Sequence, residues 1–109
     1  MSRPAQMAQL HQLTRLVLDL RLATLEAAER ARQNSLRNFA DLEVPAAEEM
    51  SLIADALASQ RYQQWADVRR AEINRTLARQ TAEWMEATDA ARLAFGRSEA
   101  LSKLLDKAR

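Results

Sequence analysis

The chain has no cysteine, one glycine, two prolines and five aromatic residues. Without cysteine there is no disulfide framework and no thiol nucleophile. One glycine and two prolines leave almost no turn chemistry, which argues against strands joined by hairpins. A single histidine without cysteine excludes the standard zinc spacings and Cys–His dyads, and the lone glycine excludes a glycine-rich phosphate loop. Glu83, Glu86 and Asp89 are spaced as solvent-facing residues of a helix, with no Glu-x-x-His pattern to make them metal ligands. Long apolar runs are also missing. The greasiest stretch, "RLVLDLRLATL", is cut by Asp19 and Arg21, so no membrane insertion is expected. The first residues, "MSRPAQMAQLHQL", lack the apolar core of a signal peptide. These absences point to a bacterial-type cytoplasmic protein without cofactor, metal or catalytic constellation.

Charge of one sign is scarce as well, the net being +1. Asp41 to Asp55 is acidic, and Arg61 to Arg79 carries arginines against only Asp67 and Glu72. A basic stretch can contact phosphates. Here, however, "RRAEINRTLAR" lies among buried-type residues, whereas a zipper-type DNA reader places a dense basic run ahead of its heptads. It reads as a solvated helix flank, and no nucleic-acid partner is expected.

What is present is helix former. Alanine supplies 22 residues, with Leu, Gln, Glu and Arg filling most of the rest. Such a mixture reads as long helix or coiled coil. Pro4 suits a first helical turn, where its missing N–H costs nothing. The only interior breaker is "DLEVPAAEE": Val44 is pushed from the helical region by Pro45, which in turn suits the start of a new helix. The sequence therefore predicts one all-α domain over 1–109, an antiparallel two-helix coiled-coil hairpin with a longer second helix. Helix 1 spans about 5–43, the turn 44–45, and helix 2 about 45–107.

Helix 1 carries a heptad stripe, Leu10, Leu13, Val17, Leu20, Thr24, Ala27 and Ala31, read as the seam toward helix 2. Leu18, Leu22 and Leu25 widen it, and Leu36, Phe39 and Leu42 close it. Helix 2 answers with Met50, Ile53, Leu57, Trp65, Val68, Ile73, Leu77 and Trp84, then Ala87, Ala91, Ala94, Leu101 and Leu105. Folding at Val44 sets residue i opposite a residue near 89 minus i. On that register helix 2 overhangs beyond about Met85, and its apolar side lacks a partner within the chain. Such a stripe marks a binding surface. Phe95 in the overhang is a candidate anchor, and Trp84 is too large to be enclosed by two helices. Gly96 admits two readings. It could end the helix as a left-handed cap, with Ser98 starting a third helix. Alternatively the helix continues, with Gly96 as a thin spot for a close partner. The spacing of Ala91, Ala94 and Leu101 keeps its phase through Gly96 and favours continuity.

The segments "LTRLVLDLRLATLEAAERARQNSLRNF" and "RQTAEWMEATDAARLAFGRSEALSKLLDKAR", the second closing on a Leu-x-x-Leu and Lys-rich end, resemble the FliJ-like proteins of flagellar export and their YscO-like counterparts in type III secretion. The resemblance covers most of the chain and implies a non-enzymatic, stalk-like coiled coil. Such a stalk enters the export ATPase ring and touches the export gate, in the cytoplasm and peripheral to a membrane-bound apparatus. The end bearing both termini would meet the ring, which nominates Leu10, Leu13, Trp84, Ala91, Phe95, Gly96, Leu101 and Leu105 as partner-binding residues. Two other classes fit the same sequence: an adaptor that homodimerises through the C-terminal overhang, and a helical secretion chaperone with a hydrophobic groove.

Overall fold

The computed structural model describes residues 2–42 and 52–108. They form two helices, α1 (Arg3–Asp41, 39 residues) and α2 (Leu52–Ala108, 57 residues), with no strand among the described residues. The expected all-α hairpin with a longer second helix is therefore the fold. The expected turn at Val44–Pro45, the end of helix 1 at Glu43 and the start of helix 2 at Pro45 lie outside the described residues.

Local chemistry fixes the ends. Ser2 caps α1: its Oγ accepts from the Ala5 N–H at 3.3 Å, satisfying one of the donors that the first turn leaves open. Pro4 falls inside that first turn, as the sequence predicts. At the other end the Leu42 N–H donates to the Phe39 carbonyl at 3.2 Å, a tightened last turn. The Tyr62 hydroxyl of α2 then donates to the Leu42 carbonyl at 2.9 Å, so a neighbouring helix satisfies one of the orphan acceptors of α1.

Two compact units divide the chain. In the unit Ala31–Thr81, Leu42, Ala66 and Ile73 are buried with Ser35, and Phe39 and Leu77 are half-buried. Arg32 Nε donates to Thr81 Oγ1 at 3.2 Å across the two helices. The pairs Arg32 with Thr81 and Leu42 with Tyr62 run in opposite directions along α1 and α2, so the helices are antiparallel. In the unit Met1–Arg30 with Ala82–Arg109, Trp84 Nε1 donates across the helices to Glu29 Oε1 at 3.4 Å. Ala87, Ala91, Ala94 and Ser98 are its buried residues.

Two expectations are corrected here, and the favoured reading of Gly96 is borne out. The register is not 89 minus i: Glu29 with Trp84 and Arg32 with Thr81 place residue i of α1 level with a residue near 113 minus i, and Leu42 with Tyr62 gives 104 minus i, both well above 89. The C-terminal part of α2 therefore lies beside the N-terminal part of α1 and does not overhang. The surplus length of α2 falls at its N-terminal end instead. The seam of α1 is also displaced by one residue. Met7, His11, Thr14, Leu18, Leu25, Ala28, Arg32, Ser35, Phe39 and Leu42 are buried or half-buried, in steps of three and four apart from one step of seven, and Ala31 of the expected stripe is half-buried beside them. Leu10, Leu13, Val17, Leu20, Thr24 and Ala27 face outward. Finally, α2 is unbroken through Gly96, which has no positive φ, and Ser98 is buried in the seam rather than capping a third helix.

The physical reason for the displaced seam is that a leucine stripe reads the same whether its partner lies in the same chain or in another. The inner positions are chosen by fit between helices. Polar side chains in a seam specify register, because only one alignment pairs them. Arg32 and Thr81 make such a pair.

Two measurements test this fold. Gly96 points into open space, with nothing within 4 Å of an added Cβ. Gly96→Ala should therefore stabilise the chain by up to about 1 kcal/mol through helix propensity alone, raising Tm by about 4–8 °C. A lower Tm would contradict a continuous helix at that position. Thr81→Val removes the acceptor of Arg32 and should cost about 0.5–1.5 kcal/mol in a urea titration, whereas Thr24→Val on the outward side should cost less than half of that.

Candidate protein-docking face

The two helices meet through unusually small side chains. Ala91 is 5% and Ala94 6% exposed, yet no large side chain among the described residues is fully enclosed. The bulky apolar residues stand outside. Leu13 is 58% exposed, Leu20 60% and Leu93 55%, and Leu10, Leu16, Val17 and Leu104 are also exposed.

Their placement is regular. Leu10, Leu13, Val17, Leu20, Thr24 and Ala27 each precede by one residue the seam ladder that runs from His11 through Thr14, Leu18 and Leu25 to Ala28. Ala90, Leu93, Arg97, Ala100 and Leu104 likewise precede Ala91, Ala94, Ser98, Leu101 and Leu105. One residue back is a rotation of about 100° on a helix of 3.6 residues per turn. For two antiparallel helices sharing a seam, that rotation leads to the same side of the pair. The two outward ladders therefore form one face, within the unit Met1–Arg30 with Ala82–Arg109.

Charge confirms the sidedness of α1. Between Gln9 and Ala28 its charged residues are Arg15, Asp19, Arg21 and Glu26, and none falls on the ladder from Leu10 to Ala27. Glu26 instead pairs with Arg30 at 3.2 Å on the surface, a contact of small energetic weight. Thr24 removes its own hydroxyl from the face by donating to the Leu20 carbonyl at 3.1 Å. The opposite flank, one residue after the seam, is sparser: Leu22, Met85 and Phe95 stand exposed there among charged neighbours.

The eight residues nominated from sequence are divided by the structure. Leu10 and Leu13 belong to the apolar face. Phe95 is exposed on the opposite flank, and Gly96 is exposed beside it. Ala91 is buried in the seam, and Trp84, Leu101 and Leu105 are half-buried there, so the same-chain helix already covers them. Sequence reasoning assigned Leu16, Val17, Leu20, Leu93 and Leu104 no docking role. The signal that could have found them was the absence of charge on one side of α1 from Gln9 to Ala28. Among the described residues no group of acids or histidines is arranged to hold a metal ion, and no helix is long and apolar enough to cross a membrane. Comparison with protein-family models, with curated proteins and with solved structures gives no match to this chain.

The division between seam and face is measurable. Ala91→Leu inserts bulk between the helices and should destabilise the protein by about 1–3 kcal/mol in chemical denaturation. Ala100→Leu, on the outward ladder, should not lower stability. Equal losses from both would place Ala100 in the seam as well.

Proposed function

We propose that this chain is a non-enzymatic coiled-coil interaction protein whose work is done by apolar helix surface presented to other polypeptides. The observation that carries the reading is the inversion of side-chain size. In the unit Met1–Arg30 with Ala82–Arg109 the buried residues of α2 are alanine and serine, and Leu18, Leu25, Leu101 and Leu105 are only half-buried beside them, while Leu10, Leu13, Leu20, Leu93, Phe95 and Leu104 point away from the seam. Apolar surface gathered on one side and rimmed by charge is the usual mark of a protein-binding site. A helix pair that hides small residues and displays large ones keeps its main hydrophobic contribution for association.

The finer reading follows the FliJ-like resemblance. On that reading the chain is a cytoplasmic stalk of a flagellar or type III export apparatus, docking on the export ATPase ring and on a component of the export gate. The hairpin architecture and the pairing of both terminal segments in one unit support it. Phe95, 55% exposed beside Gly96 and away from the leucine face, is the aromatic anchor for such a partner.

The test is direct binding of the purified chain to the export ATPase encoded in the same genome, read by calorimetry. Micromolar or tighter binding is expected, weakened at least about tenfold by Phe95→Ala, a loss of about 1.4 kcal/mol. No binding by the wild-type chain would remove the export reading while leaving the interaction-protein reading to the leucine face.

A further inference from the structure

The face formed by the two outward ladders fits one particular occupant. We infer that it is the interface for a second copy of this chain, packed antiparallel so that α2 crosses α2 of its partner and α1 crosses α1, giving a four-helix assembly. The inference rests on the reading of the outward apolar residues as protein-binding surface and names the partner of one side of it.

Three observations lead there. The first is area. From Leu10 to Ala27 the face runs about 26 Å along α1 and spans two helices, each about 10 Å wide, so each copy offers about 500 Å² in projection. Two copies together bury about 1,000 Å² or more, the threshold for a specific interface.

The second is the thin core. Among the described residues the buried apolar ones are four alanines, one leucine and one isoleucine. Burial on that scale leaves a chain of this length short of the hydrophobic contribution that offsets its conformational entropy. Covering the leucine face supplies what the seam lacks.

The third is charge order. On α2, Glu86 and Asp89 lie toward one end of the face, and Arg97, on the ladder itself, with Lys103 and Lys107 lies toward the other. A two-fold axis in the plane of the face, perpendicular to the helices and level with Leu93, reverses one copy end to end. Asp89 then meets Arg97 of the second copy, and Glu86 lies within reach of its Lys103. The same axis is level with Leu20, because residues 20 and 93 share the register fixed by Glu29 and Trp84. Leu20 then packs on its own symmetry mate, and Leu13 and Val17 meet the small Ala27 and Ala23. Large residues against small ones let the helices interdigitate, and a two-fold interface must be self-complementary in this way. With the copies parallel instead, acidic ends would not meet basic ones on α2; Arg97 would lie against the uncharged ladder of α1, where desolvation is uncompensated.

Sedimentation velocity on the full chain, over a range of concentrations, tests the inference. The expected species is a dimer of twice 12.3 kDa, with a Tm that rises with concentration because association stabilises the folded state. Leu13→Arg with Leu20→Arg should abolish the dimer. Asp89→Arg alone and Arg97→Asp alone should each weaken it about tenfold, since each makes two like-charge contacts across the axis. The double exchange Asp89→Arg with Arg97→Asp should restore wild-type dimerisation. That rescue guards against loss of folding, because the two residues are eight apart on one helix and do not meet within a chain. A wild-type chain that stays monomeric at the highest concentration would overturn the inference and give the face to a different protein. A dimer indifferent to Leu13→Arg with Leu20→Arg would overturn it by placing the contact elsewhere, and a failed rescue would overturn the antiparallel arrangement. Because Phe95 stands on the other flank, loss of the dimer and loss of ATPase binding are separate results.

Discussion

Burial of a small-residue edge on α2 is the constraint on which the unit Met1–Arg30 with Ala82–Arg109 depends. Ala87, Ala91, Ala94 and Ser98 give α2 a narrow, smooth edge. Two helices that meet through such residues approach to the short end of the usual spacing. Only some of the leucines find room beside that edge: Leu18, Leu25, Leu101 and Leu105 are half-buried in the seam, and Leu10, Leu13, Leu20, Leu93 and Leu104 stand outside it. The seam gains dispersion contacts from backbone proximity but buries few methyl groups. A small seam and a greasy exterior are thus one fact, seen from inside and outside.

This arrangement separates the task of specifying the hairpin from the task of binding. Arg32 with Thr81, Trp84 with Glu29, and Tyr62 with the Leu42 carbonyl are polar links between the helices. Each adds modest energy, but each is satisfied in only one alignment. They act as register marks on a seam whose alanines would tolerate sliding by a heptad. The ladders from Leu10 to Ala27 and from Ala90 to Leu104, apolar apart from Arg97, carry no such link between the helices. Specificity of folding and strength of association are therefore held by different residues on the same helices.

The ion pairs Arg30 with Glu26, Arg69 with Glu72 and Arg70 with Asp67 are local to one helix and keep the exposed faces hydrated. They lie away from the ladder of α1, which keeps that face free of desolvation cost on docking. Tyr62 and Trp65, with ring centroids 5.7 Å apart, form a second exposed feature in the other unit, where Trp65 leaves much of its ring open.

The sequence by itself determined that the chain is helical, that it has two helices of unequal length, that Pro4 lies in the first turn, and that α2 runs through Gly96. These are properties of single helices. Propensity, capping and the phase of apolar residues act over a few turns, and the residues concerned are neighbours in the chain. Only the tertiary structure decided which of two stripes on α1 faces α2, and at what register. Leu10, Leu13, Val17 and Leu20 form the more apolar stripe, so hydrophobicity alone would have turned them inward. Their exclusion depends on the residues of α2 that lie level with them, and on polar pairs such as Arg32 with Thr81, which are 49 residues apart. Periodicity records that a helix has a face to bury. It does not record whether the partner is the next helix of the same chain or a helix of another, because the free energy of burying a leucine is the same in both.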